Sequence, residues 1–390
     1  MLNETRNCKM ARSSHAYVRG NAGRFYEWLD QQSLVKVPEG SAVWICGDCH
    51  VGNLGPLADA RGRVRIQIRD LDQTVIGNPA HDLIRLALSF ASAARGSNLP
   101  GATTAYVLES IMDGYESAFE HDFDETENDI EQPSAVKIVM RQASKRTWKQ
   151  LAVERIEDVR PAIPLGRRFW PLSGEERDGI DLLFQDQDVA RLATMVRTRE
   201  DDAKVEVVDA AYWMKGCSSL GQLRYAVLVR VTDEGSSSGD LCLIDIKEGV
   251  DSVAPRSSKS VMPVDNAQRV VEGARHVSPF LGERMRFAQL RGRSVFLREL
   301  MPQDLKIEFS QLSTEEAVKA AGFLAAVVGY AHARQMDSTV RMAWREELAR
   351  DRSRDLDAPS WLWSSTIGLL VSHEEAYLQH CRRFVLTPRA

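Results

Sequence analysis

The sequence carries almost no net charge: 50 basic against 55 acidic side chains leave −5. So balanced a chain has no global positive field to recruit nucleic acid or an anionic membrane surface. Long apolar runs are missing too. The longest, Ala320 to Ala331, has twelve residues, far below the roughly 20 that span a bilayer. The opening Met1-Leu2-Asn3-Glu4-Thr5-Arg6 has no apolar signal core, so export through one is not expected. Six cysteines do not make a disulfide scaffold, and the cytoplasm is the expected compartment. With 44% hydrophobic and 27% charged residues, a disordered or collagen-like chain is excluded. At 390 residues, two or three domains are expected, because single cores stop growing at roughly 250–300 residues.

What is present is an alternation of signals along the chain. Ser41 to Ile45 reads as a short buried strand, and Val64, Ile66 and Ile68 alternate with polar neighbours at period two. A turn at Asp59-Ala60-Arg61-Gly62 joins that second strand to Leu54-Gly55-Pro56-Leu57 in a hairpin. Asn78 and Pro79 open a helix whose apolar face is Leu83, Leu86, Ala87 and Phe90. From Glu120 to Glu131 the chain is strongly acidic. Lys137, Arg141, Lys145 and Lys149 then place a basic stripe on one helical face, read as solvated.

Strand formers dominate from about Val205, through Tyr212–Val231 and Leu241–Ile246, with a Gly/Ser-rich loop between them. Asp265 and Gln268 mark a capping box ahead of a helix, and two more strands flank Arg291-Gly292-Arg293. A second capping box, Ser313 with Glu316, opens a long helix to about Ala333. The expected division is 1–205, a strand-rich part at 206–303, and a helical remainder at 304–390.

The densest constellation is Cys46-Gly47-Asp48-Cys49-His50-Val51-Gly52-Asn53, followed by a strand ending in Asp70-Leu71-Asp72. Phosphoryl transfer asks for a carboxylate near the acceptor hydroxyl, an amide oxygen on the metal, and a second metal-binding carboxylate. Asp48, Asn53 and Asp70 supply that set, and Mg²⁺ favours such oxygen ligands. The C-x-x-C spacing of Cys46 and Cys49, with His50 beside it, offers a metal or redox alternative. It lacks the fourth ligand of a structural zinc site.

A second constellation lies in the strand-rich part. The Lys215–Gly221 loop has glycine at both ends and Ser218 and Ser219 between, a composition that brings backbone N–H groups close to phosphates. Lys247 ends the next strand, with Glu272 mid-helix as an ion-pair partner. The loop is neither G-x-G-x-x-G nor a Walker loop, since Gln222 and Leu223 follow Gly221.

Together these parts resemble the phosphotransferases of the aminoglycoside phosphotransferase and choline kinase type, with Cys46 where their catalytic loop carries histidine. More closely, the chain from Tyr17 to about His332 resembles the bacterial domain of unknown function 2252 family, which is grouped with protein-kinase-like folds. Tyr17-Val18-Arg19-Gly20, Gly47–Asn53, Asp70-Leu71-Asp72, Gly216–Gly221 with Arg224-Tyr225, and Lys247-Glu248 carry the resemblance. It implies an α+β, bilobal protein-kinase-like fold, with a small antiparallel sheet lobe and a larger helical lobe. The glycine loop and lysine follow the catalytic loop instead of preceding it, which implies a circularly permuted lobe order.

By position, the resemblance implies that Asp48 orients or deprotonates the acceptor, and that Asn53 and Asp70 hold Mg²⁺. Lys247, held by Glu272, contacts the ATP phosphates under the backbone of Gly216, Ser218, Ser219 and Gly221. Glu299 to Met301 form a hinge that reads the adenine edge. Asp82 is expected to brace the catalytic loop, His50 and His332 to be structural, and Arg19 either to form a structural ion pair or to reach an anionic group in the cleft. The expected activity is an ATP- and Mg²⁺-dependent phosphotransferase acting on an unidentified hydroxyl-bearing small molecule or protein. The alternatives are a non-catalytic nucleotide sensor or scaffold, and AMP transfer on the same fold. Nucleic acid and membranes are not expected partners.

Overall fold

The computed structural model describes residues 2–32, 35–120, 132–145, 162–195, 199–200, 202–215, 221–235, 239–305, 312–350 and 358–386. Three helices open the chain: α1 (Leu2–Met10), α2 (Ser14–Arg19) and α3 (Ala22–Gln31). Strand β1 (Val43–Ile45) leads to the hairpin β2 (Leu54–Ala58) and β3 (Val64–Ile68), with Leu54 opposite Ile68 as the turn signal required. Strand β4 (Val75–Gly77) returns antiparallel to β1. Helix α4 (Ala80–Gly96) starts one residue after Pro79, and the Asn78 side chain accepts from the Ala80 N–H.

Helices α5 (Ala102–Ser117) and α6 (Ser134–Lys145) follow. Lys137, Arg141 and Lys145 are exposed on α6, as a solvated stripe should be. Lys149 and the acidic run at 121–131 lie outside the described residues.

The strand-rich unit begins earlier than residue 206. Strand β5 (Phe169–Trp170) and helices α7 (Gly174–Leu183) and α8 (Gln187–Thr194) belong to it. Ile180, Leu183, Phe184, Val189 and Leu192 pack in one core with Tyr225, Ile244 and Leu297 of the sheet. The apolar faces of two short helices are buried there, and burial decides membership. The sheet continues with β6 (Lys204–Trp213), β7 (Arg224–Thr232) and β8 (Asp240–Glu248).

Helix α9 (Asn266–Val277) and the short α10 (Pro279–Glu283) precede β9 (Met285–Leu290) and β10 (Arg293–Glu299). The order across the six-stranded antiparallel sheet is β5-β6-β7-β8-β10-β9. Asp265 caps α9 by accepting from the Gln268 N–H. Gln289 and Ser294 of the neighbouring hairpin, rather than the Gln268 side chain, complete its bonding.

Helices α11 (Thr314–Ala333), α12 (Ser338–Ala349) and α13 (Ser360–Cys381) close the chain. The Ser313–Glu316 capping box forms as expected. Helix α11 lies against α5 so closely that a Cβ at Gly114 would stand 2.0 Å from the Gly322 carbonyl oxygen. Ser110 donates to the Val318 carbonyl across that crossing. One large core joins α4, α5 and α11 to strands β1 to β4 and to α9. The architecture is thus α+β: an antiparallel sheet with its own core, set within a larger helical body.

Candidate active site

Helix α4 builds the loop at 46–53. Asp82, Arg85 and Ser89 stand at i, i+3 and i+7, on one face of an otherwise apolar helix. Asp82 accepts from the Cys46 and Gly47 N–H groups at 2.7 and 2.9 Å, and Ser89 accepts from the Val51 N–H at 3.0 Å. The brace itself is anchored. His332 Nε2 lies 3.2 Å from Asp82, and its Nδ1 bonds the Tyr115 hydroxyl at 2.9 Å. Trp344 Nε1 donates to the same hydroxyl. All of Asp82 and His332 is buried, so each polar atom needs such a partner. Gly47 takes φ +75°, and a Cβ there would meet the Gln73 carbonyl at 2.0 Å. No side chain fits that position.

Held this way, the loop presents Asp48 at the rim, with its side chain 17% exposed. The Arg85 Nε donates to Asp48 Oδ1 at 2.8 Å, and Nη2 donates to the Val18 carbonyl. Burial raises the Asp48 carboxyl above its ordinary value, and Arg85 pulls only partly in the other direction. His50 Nδ1 accepts from the Gly52 N–H, which places its proton on Nε2, 3.9 Å from Asp48 Oδ2. Burial holds this imidazole neutral, well below its ordinary pKa. Arg19 packs flat against Gly52, where a Cβ would stand 2.6 Å from the guanidinium.

Asn53 donates from Nδ2 to the Asp48 carbonyl at 3.1 Å, and its own carbonyl accepts from the Arg69 N–H. The hairpin β2–β3 therefore brings Asn53 opposite Arg69, one residue before Asp70, at its open end. Asp70 is half exposed. Burial works against its charge, but Lys247 and Arg298 outweigh that and hold the carboxyl well below the usual range.

From the sheet, Lys247 reaches this point. Its Nζ bonds Asp72 Oδ2 and lies 3.7 Å from Asp70 Oδ1. Burial, with the Asp70 charge beside it, pushes the Asp72 carboxyl up. The register puts Arg224 and Phe296 opposite Lys247 on its two flanks. Arg224 grips Asp245 with both Nε and Nη2, and burial of Asp245 is overcome by Arg224, Lys215 and Arg298, keeping it ionised. Arg298 in turn donates to the Arg69 carbonyl.

Two expectations are corrected. Glu272 does not reach Lys247; it pairs with Arg275 one helical turn away at 2.6 Å. The α9 side chain that faces the site is Arg269, which donates to the carbonyls of Thr74, Asp72 and Val250. With two aspartates at its ammonium, Lys247 needs no glutamate. Nor are the hinge backbone groups open. The Glu299 carbonyl accepts from Arg284, and the Met301 N–H and carbonyl are both bonded to Asp304. The Glu299 side chain is buried against Arg199. Gly221 is left-handed at φ +102°, whereas Gly216, Ser218 and Ser219 lie outside the described residues.

Cys46, Cys49 and Asp82 do converge, with ligand atoms within 4.8 Å of one another. Burial pushes the Cys46 thiol well up, and Cys49 is raised as well, although Cys46 bonding opposes this. Both Asp82 oxygens already accept loop N–H groups, and the trio falls short of the four ligands of a structural zinc site. Sequence reasoning missed Asp72, Arg85 and Arg269. Arg85 was discoverable, because an arginine one turn from Asp82 on an apolar helix is costly to bury without a partner.

Among the described residues, no helix is long and apolar enough to cross a membrane. No curated protein and no solved structure matches the chain. Residues 1–383 match the family described as uncharacterized protein conserved in bacteria (DUF2252), and the chain belongs to that family.

Proposed function

We propose that the protein is an ATP- and Mg²⁺-dependent phosphotransferase with a protein-kinase-like active site in permuted chain order. One observation carries the reading. Lys247, near the end of β8 in the six-stranded sheet, meets Asp70 and Asp72 just beyond the hairpin that Asn53 precedes. Phosphoryl transfer in kinases uses a lysine on the third strand, a metal-binding aspartate and a catalytic-loop asparagine. What supports the reading is that a sheet lysine meets two aspartates, with Asn53 at the hairpin just before them, although the chain order is inverted.

The residues fit a divalent metal. Asp70 is ionised and half exposed, and Asn53, tied through Nδ2 to the Asp48 carbonyl, keeps its amide oxygen for a ligand, so the donors would be oxygens, as Mg²⁺ prefers. The metal would supply charge neutralisation on the nucleotide phosphates. Lys247 would turn from the aspartates to the phosphates, an exchange of one anionic partner for another. Asp48, its carboxyl raised and oriented by Arg85, would hold the acceptor hydroxyl and take its proton. The Glu299 carbonyl and the Met301 N–H and carbonyl are engaged within the protein, so the proposal assigns them no part in adenine recognition.

The test is incubation of purified protein with ATP, Mg²⁺ and a metabolite panel, read by mass spectrometry. ADP together with a phosphorylated acceptor or phosphorylated protein is the expected result. Pyrophosphate with an adenylylated product would replace the reading by AMP transfer. ATP binding without any product would replace it by a sensor.

A further inference from the structure

Away from this cleft, a cavity of about 330 Å³ opens between β3, the end of α9 and helix α11. None of its lining residues belongs to the Asp48–Lys247 group. Val277, Phe323 and Val327 form an apolar wall, while Arg63, Arg65 and Arg334 bring three guanidinium groups.

The arginines are positioned in advance. Those of Arg63 and Arg65 lie 5.5 and 5.6 Å from the centre of the Phe280 ring, and Arg63 also bonds Asp59. Arg334 Nε donates to the Tyr330 carbonyl at 3.0 Å. Side chains ordered before binding cost less when a ligand arrives.

Gln67 is the independent observation. It lines the cavity yet is only 6% exposed. Its Oε1 accepts from Ser278 Oγ and from the Phe280 N–H, both at 3.1 Å. A backbone N–H only donates, so the amide orientation is fixed. Both of its side-chain hydrogen bonds among the described residues use Oε1, which leaves the Nε2 protons for an occupant of the cavity.

We propose that this cavity binds a small organic anion, an aromatic or branched carboxylate or phosphate ester. The apolar body packs on Phe323 and Val327, and the anionic group faces the arginines and the Gln67 amide. The volume suits such a molecule, at the lower end of the roughly 300–1,000 Å³ of small-molecule pockets. Fork-shaped guanidinium groups suit either oxyanion.

Calorimetry on the full chain tests this with benzoate, phenylphosphate, inorganic phosphate and benzyl alcohol. The proteins are wild type, an Arg65→Gln/Arg334→Gln double variant, Val327→Trp and Lys247→Ala. Benzoate or phenylphosphate should bind wild type and Lys247→Ala alike. Affinity should fall about tenfold or more in the other two variants, and inorganic phosphate and benzyl alcohol should bind wild type about tenfold more weakly or worse. Should the double variant misfold, Val327→Trp decides, since it keeps the charges and fills the space. Failure of both organic anions to bind overturns the proposal. So does binding that survives in Val327→Trp, that disappears in Lys247→Ala, or that benzyl alcohol matches.

Discussion

Lys247 and Asp72 are 175 positions apart in sequence and directly bonded, with Asp70 completing the group at 3.7 Å. One ammonium thus offsets the repulsion between two neighbouring carboxylates, and it ties the sheet to the loop at 70–74.

Removing that ammonium has two measurable effects. Lys247→Ala should lower stability, by less than the ~3–5 kcal/mol typical of breaking a fully buried pair, because Asp70 is half exposed. It should also weaken Mg²⁺-ATP binding in calorimetry, as should Asp70→Ala, since each supplies charge to the phosphates or the metal. Glu272→Ala should change neither, because its partner is Arg275 on the surface. Unchanged affinity in both folded site variants would remove the assigned site.

Asp48→Asn separates chemistry from binding. Asparagine keeps the size and an oxygen for Arg85, so nucleotide affinity should hold. Turnover should fall roughly 10²–10⁴-fold, the range for a lost proton acceptor. Full turnover in the variant would make Asp48 a loop residue and nothing more.

Asp82 makes the opposite prediction. Asp82→Ala leaves the Cys46 and Gly47 N–H groups buried without acceptors, at ~1–3 kcal/mol each. The urea midpoint should drop accordingly, with activity lost through the loop. Asp82→Asn, which keeps one acceptor oxygen, should lose less.

Acid should destabilise the fold. Burial lowers His15, His81 and His373 to about 4 from an ordinary 6.5, so the native state keeps them neutral. Below pH 6.5 the unfolded chain binds protons there and the native state does not. Stability contributed by these groups is complete above pH 6.5 and is lost as pH falls toward 4. Asp48, Asp72 and Glu299, raised in the folded state by burial, oppose this. His373→Gln should make the decline shallower by about 1.4 kcal/mol per pH unit over that window. A slope identical to wild type in urea titrations would show that His373 titrates normally.

Much of the site was legible because it is local. The 46–53 loop, the hairpin and Asp70 lie within one short stretch, and turn chemistry with period-two patterning places them. Ser313 and Glu316 fixed the start of α11 for the same reason. Glu272 was misread because an ion pair between a strand and a helix depends on which helical face turns inward, and Arg269 and Glu272 lie on adjacent faces. The hinge was misread because Arg284 and Asp304 reach Glu299 and Met301 through tertiary packing that no spacing announces. The early boundary of the sheet unit was hidden by α7 and α8, whose helical periodicity says nothing of which core they join.

The crossing of α5 and α11 has a consequence for biosynthesis. Thr103 meets Thr314, Gly114 meets Gly322, and Asp82 waits for His332. As the chain leaves the ribosome at ~5–20 residues per second, N-terminal units normally fold first. Here the apolar face of α4 and α5 emerges long before its cover does. The sheet unit, whose own core is contained within 180–297, is free to fold in that interval. The middle of the chain can therefore complete its core before the beginning does, because α4 and α5 share theirs with α11.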